Sequence, residues 1–240
     1  MNRFVLMLGK NITKLPGVYA KLRKYAKDPA RYPETETWNH VKRTLALCVQ
    51  AGNVDLQVTG LENIPQEGGF MLYGNHQGLF DIMAIGSTCP QPLGAVYKKE
   101  LTGIPILKEI MEVTRSYSMD REDVRQSLQV IQAVTQEVKN GRNYLLFPEG
   151  TRSKKGNEMN DFHGGSFRCA TKAKCPVVPF ALIDSFKVLD QKGSKPVTVQ
   201  LHYLSPLSSD EYKDLKPAQL ADLVKERVQA CIDEKIGSCN

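Results

Sequence analysis

Four short apolar runs constrain this chain most: Phe70 to Tyr73, Ala95 to Tyr97, Tyr144 to Phe147 and Cys175 to Ile183. Each is too short for a buried helix and reads as a strand, and longer amphipathic stretches separate them. The stripe Trp38, Val41, Leu45, Cys48 predicts one helix, ending near Gly52. Val124, Leu128, Ile131, Val134 and Val138 predict another, with Asp120 near its N-cap and Gly141 just past its end. A short helix is expected after Pro105, and Leu220 to Ile232 closes the chain with a helix. Val54, Leu56 and Val58, then Val197, Val199, Leu201 and Tyr203, alternate with other residues as in half-buried strands. Strands alternating with helices predict an α/β fold, a mixed, partly parallel sheet flanked by helices.

The charge is informative once it is located. The chain carries a net +6, but residues 1–31 hold eight basic side chains against the single acid Asp28, a net of +7. The remainder therefore sums to −1. In the same segment Phe4, Leu8, Ile12, Leu15, Val18, Leu22 and Tyr25 recur every three or four positions, interrupted at Pro16-Gly17. A basic amphipathic segment of this kind suits the headgroup region of an anionic membrane. Residues 1–52 are accordingly expected to form an N-terminal helical membrane-docking segment, ahead of a catalytic domain over 53–240. The competing reading packs the stripe on the protein's own core. Nucleic acid is not an expected partner, because the apolar positions form a stripe rather than scattered stacking aromatics.

No stretch reaches the ~18 apolar residues of a membrane span, and the N-terminus lacks a secretory pattern, so an intracellular protein is expected. The six cysteines form no C-x-x-C pair and no zinc spacing, which reads as reduced thiols and no metal site.

Polar blocks stand at the ends of the strands, where α/β sheets place their sites. In the first, His76 and Asp81 lie five positions apart. On a continuous helix that spacing turns through roughly 500° and leaves the side chains about 140° apart. If the strand ends near Gly74 and a helix starts near Leu79, a turn at Gln77-Gly78 folds Asp81 back onto His76. A carboxylate accepting one ring N–H fixes the tautomer and frees the other nitrogen to take a proton. The block contains no serine or cysteine nucleophile, so it reads as a general base acting on a substrate's own hydroxyl. The later blocks are Lys98 with Glu100, Asp120-Arg121, and Glu149-Gly150-Thr151-Arg152. Arg121 and Arg152, helped by Lys98, offer fixed positive charge for a phosphomonoester. Glu149 is assigned to acceptor-hydroxyl binding or to ordering Arg152, and Gly150 to a tight turn.

Together these blocks resemble the glycerolipid acyltransferase family that includes bacterial 1-acyl-sn-glycerol-3-phosphate acyltransferases. The family's N-H-x-x-x-x-D matches Asn75, His76 and Asp81, and its K-x-E-L-x-x-x-P matches Lys98, Glu100, Leu101 and Pro105. Its F-P-E-G-T-R-S is intact from Phe147 to Ser153, followed by F-x-x-G at Phe162 to Gly165 and P-V-V-P at Pro176 to Pro179. Lys108 and Arg115 stand where the family commonly has glycine. The resemblance implies acyl transfer from acyl-CoA or acyl-carrier protein to the sn-2 hydroxyl of a lysophospholipid, 1-acyl-sn-glycerol-3-phosphate, giving phosphatidic acid. It implies catalytic His76 and Asp81, and substrate binding by Asn75, Lys98, Arg121, Glu149, Gly150, Thr151 and Arg152. It implies no cofactor beyond the thioester co-substrate, and a peripheral place on the cytoplasmic face of the cell membrane. Glycerol-3-phosphate or another lysophospholipid as acceptor, and a non-catalytic lipid-binding module, are the alternatives.

Overall fold

The computed structural model describes residues 3–104 and 106–237. Pro105 and Cys239 lie outside the described residues. Three N-terminal helices, α1 (Arg3–Asn11), α2 (Leu15–Lys27) and α3 (Glu34–Ala51), precede strand β1 (Val54–Thr59). Then follow β2 (Met71–Gly74), α4 (Asp81–Thr88), β3 (Gly94–Lys98), α5 (Leu107–Val113), β4 (Tyr117–Met119), α6 (Val124–Lys139) and β5 (Tyr144–Leu146). The chain continues through α7 (Arg168–Ala173), β6 (Val177–Ile183), α8 (Phe186–Leu189), β7 (Val197–Tyr203), α9 (Ser209–Tyr212) and α10 (Pro217–Gly237).

The strands form one seven-stranded sheet in the order β1-β7-β6-β2-β5-β3-β4. Every pairing is parallel except β6 with β7. The predicted mixed, partly parallel α/β architecture is therefore observed, with a sheet that is mostly parallel. Alternate residues of the central strands enter two separate cores. Phe70, Leu72, Leu145, Val178, Phe180 and Leu182 join Trp38, Val41 and Ile85 on one face. Met71, Tyr73, Tyr144, Leu146, Val177 and Ala181 join Val134, Val138, Leu220 and Val224 on the other. Burial on both faces is why these strands read as unbroken apolar runs, whereas β1 at the sheet edge alternates.

The N-terminal segment is divided. Met7, Leu22, Tyr25 and all of the α3 stripe except Cys48 enter the first core, so residues 1–52 share it with the sheet. On α1, by contrast, Val5 is 54% exposed and Leu8 37%, and Ile12 just past its end is 66% exposed. Part of the apolar stripe thus packs inward and part faces out. Among the described residues no helix is long and apolar enough to cross a membrane.

Two features differ from the sequence reading. β4 is a three-residue, half-buried edge strand that gives no apolar run to detect. The N-cap of α6 is Asp123, whose side chain accepts the Gln126 N–H at 3.0 Å. Asp120 instead accepts the Glu122 N–H at 3.1 Å in the turn after β4.

Arg115 explains why glycine suits its position. It follows the C-cap of α5 at φ +50°, with its N–H on the Glu112 carbonyl and the Ser116 N–H on the Met111 carbonyl. That bond pair is a helix-ending motif that favours glycine. Arg115→Gly should therefore stabilise the fold by about 0.5–1 kcal/mol, raising the melting temperature by about 2 °C in thermal unfolding.

Candidate active site

Strands β6, β2, β5, β3 and β4 run parallel, so their C-terminal ends share one edge of the sheet. His76 follows β2, and residues 77–80 make the turn that brings Asp81, first residue of α4, back to it. The His76 Nδ1 lies 2.6 Å from Asp81 Oδ2. The same oxygen accepts the Gln77 N–H at 2.7 Å and the Gly78 N–H at 3.0 Å. Asp81 is wholly buried, and its other oxygen accepts the Ser185 hydroxyl. With an acceptor-only carboxylate on Nδ1, the neutral ring carries its proton there and leaves Nε2 as the basic nitrogen.

The Phe147–Ser153 loop after β5 grips His76 from three sides. Its ring stacks on Phe147 with centroids 4.0 Å apart and planes 13° apart. Its N–H donates to Glu149 Oε1 at 2.7 Å, and its carbonyl accepts the Ser153 N–H at 2.9 Å. Glu149 is 2% exposed, and its second oxygen accepts the Asn160 N–H at 2.9 Å. Burial pushes this carboxyl up, and the two N–H donors oppose that shift. Gly150 adopts φ +70°, a left-handed conformation that ordinary side chains disfavour, and closes the turn.

The substrate-binding candidates separate on inspection. Asn75 is 1% exposed, and its amide spans to β6, donating to the Leu182 carbonyl and accepting the Leu182 N–H, both at 2.8 Å. It fastens β2 to β6, and neither end of the amide points to a substrate. Glu149 likewise holds backbone: its bonds go to His76 and Asn160, and Arg152 pairs elsewhere. Thr151 is exposed beside Gly150. Arg152, 31% exposed, is paired with Asp190. Lys98 is exposed at the end of β3 and pairs with Glu100 at 2.7 Å. Arg121 is exposed beyond β4.

Ser185 and Asp190 carried no signal in the sequence reading, and Gln77 was read only as a turn residue. Ser185 stands on Asp81 from 104 residues away. Gln77 donates to Asn157 and accepts the Ser185 N–H, tying the turn after β2 to the end of β6. Asp190 accepts the Leu79 N–H at 2.9 Å. Burial also pushes the Cys89, Cys169 and Cys175 thiols up to about 12, which leaves them poor nucleophiles. Among the described residues no three His, Cys, Asp or Glu side chains form a metal-ligating group.

Comparison with known proteins bears on this edge of the sheet. The family model described as Acyltransferase matches residues 55–183, just over half the chain and all of the blocks above. A 1-acyl-sn-glycerol-3-phosphate acyltransferase of Saccharomyces cerevisiae is 26% identical over 75% of this chain and 61% of its own. One from Helicobacter pylori is 32% identical over 49% of this chain and 50% of its own. The chain thus spans half to three fifths of the length of these two relatives. The crystal structure of the 1-acyl-sn-glycerophosphate (LPA) acyltransferase, PlsC, from Thermotoga maritima superposes with a TM-score of 0.77. That match covers 97% of this chain and 96% of the other at 22% identity, a likeness of fold. With the matched stretch holding both the His76–Asp81 pair and the Phe147–Ser153 loop that grips it, the chain belongs to the acyltransferase family.

Proposed function

We propose that this protein transfers a fatty acyl group from an acyl thioester, acyl-CoA or acyl-carrier protein, to the sn-2 hydroxyl of 1-acyl-sn-glycerol-3-phosphate, giving phosphatidic acid. One observation carries the reading: the His76–Asp81 pair leaves Nε2 as the basic nitrogen, and the loop whose backbone bonds to His76 also carries Arg152. His76 Nε2 takes the hydroxyl proton as that oxygen bonds to the thioester carbonyl carbon. The C–S bond then breaks, and the departing sulfur takes the proton back from the imidazolium. No acyl-enzyme forms, because the acceptor oxygen is itself the nucleophile.

The oxyanion needs a donor, and four N–H groups of this stretch are already bonded. The N–H of His76 is bonded to Glu149, those of Gln77 and Gly78 to Asp81, and that of Leu79 to Asp190. We assign this role to Lys98, at the end of β3. Arg152, on the loop that follows the strand next to β2, is the nearer phosphate ligand. Arg121 follows β4, three strand spacings or about 14 Å away, and reaches the headgroup from the far side. Leu79, 55% exposed in the turn between His76 and Asp81, offers an apolar lip that favours an acylated acceptor over glycerol-3-phosphate.

Arg152→Ala should raise KM for lysophosphatidate about 10- to 100-fold with a smaller change in kcat, the worth of charge-assisted bonds to a phosphate. Steady-state kinetics with lysophosphatidate and glycerol-3-phosphate in parallel check this. Equal use of both acceptors by the wild type would reject the sn-2 assignment.

The exposed face of α1 supports a peripheral attachment to an anionic membrane on its cytoplasmic side, where either thioester donor arrives from water. Deleting residues 1–27 is a poor test, because Leu22 and Tyr25 are core residues and each such burial is worth about 1.5–3 kcal/mol. Changing Val5, Leu8 and Ile12 together to serine should leave melting unchanged and lower co-sedimentation with anionic liposomes about tenfold or more. Undiminished sedimentation would reject this docking face.

A further inference from the structure

Asp190 follows α8, in no motif block, yet its carboxylate bridges two blocks. One oxygen pairs with Arg152, and the other accepts the Leu79 N–H at 2.9 Å, inside the turn that joins His76 to Asp81. The approach is tight. A Cβ on Gly78 would lie 2.5 Å from Asp190 Oδ2 and 3.0 Å from the Phe186 Cα, so glycine at residue 78 lets the turn and α8 approach this closely. Arg3 fixes α8 from its other side: its guanidinium is 3% exposed and donates to the carbonyls of Lys187 at 2.9 Å, Val188 at 2.8 Å and Lys195 at 2.5 Å. The carboxylate therefore hangs on a held element.

The pair is not there for stability. Arg152 and Asp190 are 31% and 28% exposed, and ion pairs reachable by water are worth about 0–1 kcal/mol. Its effect is geometric. A free arginine side chain samples many rotamers, whereas this guanidinium is tied through one carboxylate to the backbone of the catalytic turn. Asp190 engages Arg152 Nη1, and a guanidinium has five N–H donors, so donors remain for a phosphate.

Resting on the proposed phosphate role of Arg152, we infer that Asp190 is a positioning residue for acceptor selection. It holds Arg152 in register with His76, so that only an acceptor whose phosphate and hydroxyl match that separation is placed for attack. Preference for a phosphorylated acceptor over its dephosphorylated counterpart then depends on Asp190 as well as on Arg152.

The test compares kcat/KM for lysophosphatidate and for monoacylglycerol of the same chain, in wild type, Asp190→Ala, Asp190→Asn and Arg152→Ala. Asp190→Ala should lower the ratio of the two at least about tenfold, chiefly through KM for lysophosphatidate, while monoacylglycerol turnover falls far less. Asp190→Asn keeps an acceptor for the Leu79 N–H but loses the charge on Arg152. It should fall between the two, and it reads the same ratio if the alanine variant does not fold. A merely structural role would lower both activities in proportion, and that outcome overturns the inference. A ratio lowered by Arg152→Ala but unchanged in both Asp190 variants overturns it as well. A ratio unchanged even in Arg152→Ala removes the phosphate role of Arg152, and this inference with it.

Discussion

Replacing His76 by alanine should lower kcat about 10²- to 10⁴-fold, the usual worth of a positioned general base, with KM little changed. The fold should survive. The bonds from the His76 N–H to Glu149 and from the Ser153 N–H to the His76 carbonyl belong to the backbone and persist. Asp81 keeps three of its four donors: the Gln77 and Gly78 N–H groups and the Ser185 hydroxyl. Liposome binding should not move. Steady-state kinetics beside a melting curve separate loss of the base from loss of structure. An unaltered kcat would remove His76 from the chemistry.

The second large effect belongs to Asp81, and two substitutions divide it. Asp81→Ala strips an acceptor from a wholly buried site and orphans the Gln77 and Gly78 N–H groups. Each unsatisfied buried donor costs about 1–3 kcal/mol, so a loss of about 3–5 kcal/mol in urea unfolding is expected together with loss of turnover. Asp81→Asn should behave differently. Its carbonyl oxygen can take the place of Oδ2 under the same three N–H donors, and its NH₂ can donate to the Ser185 hydroxyl, which turns to accept. Geometry is kept and the negative charge beside the imidazolium is lost. We expect kcat to fall about 100-fold or more with stability within about 1 kcal/mol of wild type. A fully active Asp81→Asn protein would show that orientation alone, without the charge, suffices.

Most of the sheet was legible because its central strands are covered on both faces, and unbroken apolar runs such as Tyr144 to Phe147 have few other homes. β4 was not, since three half-buried residues at an edge, one of them Ser118, form no pattern. The cap of α6 was misplaced by three residues because Asp120 and Asp123 are equally good capping residues, and only the chain's exit from β4 chooses between them. Periodicity in the first 27 residues identified an apolar face but not what covers it. Leu22 and Tyr25 went to the core, while Leu8 and Ile12 stayed outside.

The site divides in a similar way. His76 and Asp81 are near neighbours in sequence, so chain geometry alone required a turn to bring them together. Glu149 was assigned to acceptor-hydroxyl binding or to ordering Arg152, because it stands in one block with that arginine. In the fold its oxygens serve backbone N–H groups of His76 and Asn160. Ser185 and Asp190 act on the His76 turn across 104 and 111 residues. A lone serine and a lone aspartate in ordinary surroundings give no hint of such partners; only the return of β6 beside β2 brings them there.

Direct transfer, with the acceptor oxygen as the nucleophile, is tested most plainly by mass spectrometry of wild-type protein turning over lysophosphatidate with acyl-CoA or acyl-carrier protein. Phosphatidate and free thiol should appear one for one, while the mass of the protein stays that of the unmodified chain throughout. Protein carrying an added acyl group, or thiol released without phosphatidate, would contradict the account.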